Sequence, residues 1–165
     1  MGARIRRRGP DRMNNTPDRP AVRRLHDLVA GEARLEAGPL DIEDACRRYA
    51  EEGYEVTPRL REFLTDYGEL TVTWTWRQRE VELTTAVERT LEATHALPRN
   101  VRIDAKRIGQ SLVLIGTAWD TEDVVLLAEN DDIFISGDAG IQRIANGFEN
   151  AIRAIGTDSW DKTFF

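Results

Sequence analysis

The side chains that could carry out catalysis are few in this sequence, and their spacing matches no catalytic pattern. The two histidines, His26 and His95, stand outside any HExxH, HxH or Cys–His arrangement, so the sequence does not predict a zinc site. The single cysteine, Cys46, falls on an apolar helical stripe, where a thiol is expected to pack. The sequence also lacks GxSxG, P-loop and GxGxxG motifs. We therefore predict no catalytic centre, no metal site and no cofactor.

The carboxylates cluster in two places that could attract a cation. The first cluster precedes one apolar run and the second follows it: Asp120, Glu122 and Asp123, then Glu129, Asp131 and Asp132. The second cluster resembles part of a calcium loop but lacks the glycine at the sixth position and the closing glutamate. A solvated turn is the preferred interpretation. The alternative, a small metal-dependent hydrolase, predicts a stability gain with calcium, magnesium or manganese.

Three tryptophans stand close to acidic residues. Trp74 and Trp76 alternate with threonines, and Trp119 directly precedes the first carboxylate cluster. Large aromatic side chains beside acidic loops are typical of protein-binding hot spots. For the alternating pair, however, the packed inner face of a strand is the preferred interpretation.

The net charge of −6 hides an asymmetry along the chain. Residues 1–24 hold eight arginines against two aspartates, which gives +6, so the remainder carries 15 basic and 27 acidic side chains, a balance of −12. Such an acidic body argues against nucleic acid as the main partner, because phosphate neutralisation needs a basic face. It suits a basic partner protein, since opposite potentials speed encounter. Solubility alone would also explain it.

Three apolar runs, residues 112–115, 124–128 and 133–135, predict consecutive strands at the centre of a sheet. Residues 129–132 supply a tight reversal between the second and third. The second run is apolar on both sides, so we expect a central strand that is covered on both faces, by helices.

The first half of the chain carries helix signals. One helix should follow Pro20 and close by about residue 35. A second begins at its N-cap Asp41 and ends before Gly53, and a third begins at Thr57 and stops at Gly68.

Alternation then predicts a hairpin of residues 70–76 and 80–83, turning at residues 77–78. Helices are predicted at residues 85–97 and 103–108, followed after the central strands by a C-terminal helix marked by Ile144, Phe148, Ile152 and Ile155. Trp160, Phe164 and Phe165 should dock on the body, although a contact surface is the alternative.

Residues 1–20 are predicted to be a flexible basic tail, and residues 21–165 a single domain. Met13 is an alternative start. The sequence contains no apolar run near the ~20 residues that span a bilayer, so a membrane partner is not expected. One cysteine suits a reducing cytoplasm. We expect a monomer or a weak homo-oligomer.

Three segments in order carry a family resemblance: EDACRRYAEEGYEVTPRLREFLTDYGELTV (residues 43–72), RIGQSLVLIGTA (107–118) and VVLLAENDDIFISGDAGIQRIANGFENAIRAI (124–155). Together they resemble the SUKH superfamily of bacterial immunity proteins, and its third subfamily in particular. Leu114 stands where the family tends to have proline, and Asp132 where its turn often has glycine. Residues 77–99 match only loosely.

The resemblance implies an α+β fold: a mixed, largely antiparallel sheet flanked by helices, with a helical N-terminal part and a C-terminal helix. It also implies no enzymatic activity and a role as antidote. The protein would bind the toxin domain of a polymorphic or contact-dependent toxin, often a nuclease or nucleic-acid deaminase, and occlude its active site. The alternative is a non-enzymatic regulatory or scaffold protein that binds a host protein.

Composition, and not a family motif, selects the candidate toxin-binding residues. Acidic side chains would steer a basic toxin and tryptophans would anchor it. The candidates are Trp74, Trp76, Glu80, Glu82, Trp119, Asp120, Glu122 and Asp123.

Overall fold

The computed structural model describes residues 19–165. The tail predicted for residues 1–20 therefore lies outside the described residues, apart from Arg19 and Pro20. The helices are α1 (Pro20–Val29), α2 (Ile42–Glu51), α3 (Pro58–Tyr67), α4 (Val87–Glu92), α5 (Pro98–Ile108) and α6 (Phe148–Gly156). The strands are β1 (Ala33–Ala37), β2 (Leu70–Trp76), β3 (Arg79–Thr84), β4 (Leu112–Ala118), β5 (Asp123–Ala128), β6 (Asp132–Gly137) and β7 (Gly140–Asn146).

The seven strands form one sheet in the order of the sequence, β1 to β7. Every neighbouring pair is antiparallel, so the sheet has none of the parallel pairs that a mixed sheet would contain within the described residues. Helices α2 and α3 connect β1 to β2, and α4 and α5 connect β3 to β4. The predicted α+β class is confirmed, with helices in the N-terminal part and a helix near the C-terminus.

The helix caps that the sequence predicts are present. The Asp41 carboxylate accepts a hydrogen bond from the Asp44 amide at 3.0 Å, and the Thr57 hydroxyl accepts one from the Leu60 amide at 3.1 Å. Each cap satisfies an amide that has no partner inside the helix, an effect of about 0.5–2 kcal/mol. Gly109, at a φ of 84°, closes α5 in the left-handed conformation.

Two predicted helices have different bounds from those expected. The first ends at Val29 and not near residue 35, because Gly31 (φ 82°) reverses the chain and residues 33–37 pair with β2 as an edge strand. The C-terminal helix begins at Phe148, and Ile144 lies in β7. The helical spacing of Ile144 is coincidental, since Gly147 separates a strand from a helix.

The two middle helices also differ in length. Helix α4 is confined to Val87–Glu92, and α5 begins at Pro98, five residues before the predicted start. Proline is favoured in the first turn of a helix because its missing N–H has no partner there.

Strand β5 lies between β4 and β6, and its residues 124–128 are all buried, which confirms the central strand with two covered faces. Leu126 pairs with Leu114 on one side and with Phe134 on the other. From α2, the buried Tyr49 hydroxyl donates to the Leu114 carbonyl at 3.0 Å. Cys46 is also buried in this core, as expected of a packing residue.

Strand β4 continues through Gly116 to Ala118, beyond the apolar run that predicted it. The register shifts between Leu114 and Gly116, which marks a bulge. A Cβ on Gly116 would lie 2.6 Å from the Thr84 carbonyl oxygen, so only glycine allows β3 and β4 to approach here. The bulge therefore sets where β4 ends, and with it the position of Trp119, which follows the last residue of the strand.

Candidate functional site

Two tryptophans from separate hairpins lie side by side at one end of the sheet. Trp76 is the last residue of β2, and Trp119 follows the last residue of β4. Their ring centroids are 6.3 Å apart with planes inclined by 41°, and both side chains are half-buried. The Trp119 amide donates to the Glu82 carbonyl at 3.1 Å, which holds its backbone against β3. We call Trp76 and Trp119 the tryptophan pair.

The tryptophan pair lines an open cavity of about 800 Å³. The two-residue turn beside it, Arg77 and Gln78, has φ values of 46° and 68°, as the predicted hairpin requires. Arg77 and Arg79 line the same cavity, and Asp158 is the only carboxylate that lines it among residues 19–165. We call it the basic cavity, because its rim is positively charged.

Trp74 does not belong to this surface. Its side chain is only 3% exposed and packs against the end of α6, where a Cβ on Gly156 would lie 2.7 Å from the indole nitrogen. A buried tryptophan in a packed sheet face stabilises the core and offers no area to a partner. The packed-face interpretation thus describes Trp74, whereas Trp76 is partly open to solvent.

Glu80 and Glu82 are matched by arginines that the sequence did not place near them. Arg34 of β1 lies 3.7 Å from Glu80, and Arg89 of α4 forms an ion pair with Glu82. Exposed pairs of this kind contribute about 0–1 kcal/mol to stability, but they cancel much of the local field. The remaining acidic candidates lie in and directly after the loop that follows β4.

That loop, residues 119–122, has unusual backbone geometry. Trp119, Asp120 and Thr121 have consecutive positive φ values of 54°, 58° and 66°. Left-handed backbone is unfavourable for residues other than glycine and persists only where the surroundings hold it. Here the Thr121 carbonyl accepts the Thr94 amide at 3.0 Å, which ties the loop to the connection between α4 and α5. The geometry leaves Asp120 and Glu122 exposed to solvent.

Asp123 occupies a second cavity, of about 410 Å³, which Trp119 also lines. Burial raises the pKa of its carboxyl, the charge of His95 opposes this, and Glu122 and Asp138 add to the rise. His95 is itself held at 2.9 Å, Nε2 to Oδ1, by Asp138. We call this space the acidic cavity, since three carboxylates face it.

The carboxylates of the second cluster already bind other groups of the protein. Asp131 pairs with Arg59, the Glu129 carboxylate accepts the Ser111 amide, and Asp132 lies 2.9 Å from Arg143. Residues 19–165 contain no group of three or more His, Cys, Asp or Glu that could hold a metal ion. The solvated turn is therefore better described as a network of internal pairs.

Sequence reasoning missed the contribution of the C-terminal residues to the acidic cavity. Trp160 and Phe164 line it, and the Trp160 indole donates to Gln142 at 3.1 Å. The predicted docking on the body is thus confirmed for Trp160. The aromatic composition after residue 157 was the available signal, but only the fold shows which strands it meets.

A comparison of the sequence with family models identifies a family for this chain. The model of the SUKH-3 immunity protein family matches residues 40–157, more than two thirds of the chain. The chain belongs to the SUKH-3 immunity protein family. Searches of the curated proteins and of the solved structures gave no significant match.

The SUKH-3 match begins just before α2 and ends just after α6. It includes the tryptophan pair and Asp123, while Arg34, Trp160 and Phe164 lie outside it. The family is generally non-enzymatic, and membership supports an immunity role, which implies binding of a cognate toxin. No helix in residues 19–165 has the length and apolar character needed to cross a membrane. The candidate binding residues remain predictions.

Proposed function

We propose that this protein binds the toxin domain of a polymorphic or contact-dependent bacterial toxin and occludes its active site. The toxin would be a nuclease or a nucleic-acid deaminase, whose substrate cleft is basic. The observation that carries the proposal is the tryptophan pair, a half-exposed aromatic surface between two cavities in a protein of the SUKH-3 family.

The tryptophan pair has the properties of an interface anchor. Trp76 and Trp119 each keep part of a large apolar ring in water, where it gains most from being covered. Tryptophan is enriched at interface positions where replacement by alanine costs about 2 kcal/mol or more of binding free energy. The strained backbone at Trp119 supports the same role, because strain of this kind concentrates at functional sites.

Charges of opposite sign lie on the two sides of the tryptophan pair. Glu122 and Asp123 line the acidic cavity, whereas Arg77 and Arg79 line the basic cavity. A basic cleft would therefore meet the acidic side, and an acidic edge of the toxin would meet the turn of β2 and β3. Complementary charges of both signs would set the orientation of the toxin in the complex as well as the rate of encounter.

Inhibition of the toxin domain tests this proposal. The toxin domain encoded beside the gene is assayed on its nucleic-acid substrate while this protein is titrated in. We expect activity to fall to zero at one equivalent, and preincubation with excess substrate to delay inhibition because both compete for one cleft. Full activity at several equivalents, with the protein folded, would contradict the antidote role.

A pair of variants separates the proposed surface from the rest of the molecule. Trp119→Ala should weaken inhibition strongly, whereas Ile103→Ala removes an apolar side chain of α5 that is 50% exposed and should leave inhibition unchanged. Equal inhibition by both variants would place the interface elsewhere while leaving the antidote role intact.

A further inference from the structure

The acidic cavity has the volume and the walls of a binding site for one side chain. Its volume of about 410 Å³ lies in the usual range of ligand pockets, roughly 300–1,000 Å³. Strands β6 and β7 contribute backbone and apolar side chains such as Ile135 and Ile144. The C-terminal residues 158–165, which we call the C-terminal segment, supply Trp160 and Phe164.

The C-terminal segment is fixed in place by β7. Gln142 accepts from the Trp160 indole at 3.1 Å and donates to the Lys162 carbonyl at 2.5 Å. The Phe165 amide donates to the Ile141 carbonyl at 3.0 Å, as an added strand would. The aromatic wall of the cavity is thus held by main-chain and side-chain hydrogen bonds and exists before any partner arrives.

The aromatic rings of this wall are available to a cation. Phe164 is 50% exposed, and Trp119 is half-buried at the border of both cavities. Trp160 already carries a cation on one face, because Lys162 Nζ lies 3.6 Å from its ring centroid. Cation–π contacts of this kind are strongest with tryptophan.

The Asp123 carboxylate faces this wall without a donor of its own. Among the described residues, no hydrogen bond or ion pair reaches its carboxylate oxygens within bonding distance, although the side chain is half-buried. It rests against the backbone of Gly137, where even a methyl group would collide with it. Burial without a donor raises its pKa, and a cation in the cavity would reverse that effect.

We propose that the acidic cavity receives an arginine side chain of the toxin domain, stacked on Trp119 and Phe164 and hydrogen-bonded to Asp123. The inference rests on the proposed function and names the group that the surface recognises. A guanidinium is planar, stacks on aromatic rings and donates two parallel hydrogen bonds to a carboxylate, so it uses both features of the cavity. A lysine ammonium would use the charge but not the flat walls.

The position of the C-terminal segment gives this site a role in specificity. Trp160 and Phe164 lie outside the SUKH-3 match, which ends at residue 157, while Asp123 and Trp119 lie inside it. Among the described residues, twelve of the fourteen that line the cavity thus belong to the matched region, and the two aromatic residues of the C-terminal segment lie beyond it. The segment would therefore set which toxin residue is accepted.

Titration with a small probe tests the cavity without the toxin. The indole resonances of the protein are followed by NMR as N-acetyl-arginine amide is added, with the citrulline analogue as a neutral control of the same shape. We expect saturable shifts of Trp119 and Trp160 but not of the buried Trp74, and at least fivefold weaker binding to Asp123→Asn. Equal shifts with citrulline, no saturable shift, or an unchanged affinity in Asp123→Asn would overturn the proposal.

Binding kinetics with the toxin domain test it in the complex. Asp123→Asn should speed dissociation about tenfold, and Trp160→Ala should do the same by removing part of the wall. Glu62→Gln, the same carboxylate-to-amide change at an exposed position of α3, is the matched control. A complex that forms normally with all three variants would overturn the arginine site alone, whereas failure of the unaltered protein to bind would overturn the proposed function as well.

Discussion

Asp132 shows how a single buried carboxylate can organise a turn. It is 8% exposed and receives hydrogen bonds from Asn130 at 3.2 Å and Asn146 at 3.1 Å, in addition to its ion pair with Arg143. Burial by itself would raise its pKa, but these donors outweigh burial and lower it. The network joins the turn before β6 to the end of β7, and so shapes one edge of the sheet.

We expect Asp132→Asn to lower the free energy of unfolding by about 1–3 kcal/mol, because an amide places a donor against the donors of Asn130 and Asn146. The corresponding loss in melting temperature is about 3–10 °C. Since the folded-state pKa is depressed, the stabilisation is present at neutral pH and is lost as pH falls through that value. Calorimetric melts of both proteins should therefore converge in acid.

Asp131→Asn is the matched control for this prediction. Asp131 directly precedes Asp132 in the chain, but its side chain is 65% exposed and, within the part of the chain that the structure describes, pairs only with Arg59. An exposed pair contributes about 0–1 kcal/mol, so the melting temperature should change little. An equal loss of melting temperature in the two variants would show that the buried network stabilises the protein no more than the exposed pair does.

At the same scale, Trp119→Ala should act on the lifetime of the toxin complex. Loss of a central tryptophan costs about 2 kcal/mol or more of binding free energy, which corresponds to roughly 30-fold faster dissociation. Association should change little, because single contacts act mainly on dissociation. Surface plasmon resonance measures both rates, with Ile103→Ala as the control for loss of an exposed apolar side chain.

Among the elements, the bulged strand β4 is the one that positions the candidate site. Its register shift at Gly116 sets where the strand ends, and with it the place of Trp119 opposite Trp76. Strand β3 pairs with β4 through Leu83 and Thr84, and residues of its other end, Arg79 and Val81, line the basic cavity.

We expect Gly116→Ala to destabilise the protein by about 1–3 kcal/mol, because the new methyl group meets the Thr84 carbonyl. Thermal unfolding should shift downward by about 3–10 °C. Gly38→Ala is the control, since a Cβ there would be 3.8 Å from its nearest neighbour, an ordinary contact. Indistinguishable melting curves for the two variants would mean that β3 and β4 can separate without cost.

Helices that begin or end at a capping residue could be predicted from the sequence. Strands that are defined by pairing with another strand could not. Asp41, Thr57 and Gly109 mark their helix ends through contacts within four residues, so α2, α3 and the end of α5 followed from spacing. Strand β1 depends on a partner far along the chain, whereas β7 pairs with β6 directly before it, and the apolar spacing of both strands was compatible with helix.

The candidate site, too, could be predicted from the sequence only in part. Trp76 and Trp119 were found from composition, but their contact depends on the bulge in β4 and on the turn after β2. The arginines that neutralise Glu80 and Glu82 come from β1 and α4, and no local pattern announces them. Residue types could be predicted, whereas the division of charge between two cavities needed the fold.

For the whole molecule, the negative charge of the body should govern encounter with a basic toxin. We expect Asp120→Asn with Glu122→Gln to slow association about two- to tenfold at low ionic strength, and the difference to vanish at high salt because exposed charges are screened. Stopped-flow mixing measures this rate.

The control changes the net charge equally at another place. Glu62→Gln with Asp66→Asn removes two carboxylates from α3, away from the acidic cavity. The same slowing in both double variants would assign the effect to net charge rather than to the loop after β4.

The central claim is that this SUKH-3 protein binds a toxin domain through the tryptophan pair. Isothermal titration calorimetry of the protein against the toxin domain encoded beside its gene tests it most directly. We expect a one-to-one complex with nanomolar or tighter affinity, weakened at least 30-fold by Trp119→Ala and unchanged by Ile103→Ala. Absence of binding by the folded, unaltered protein would contradict the claim.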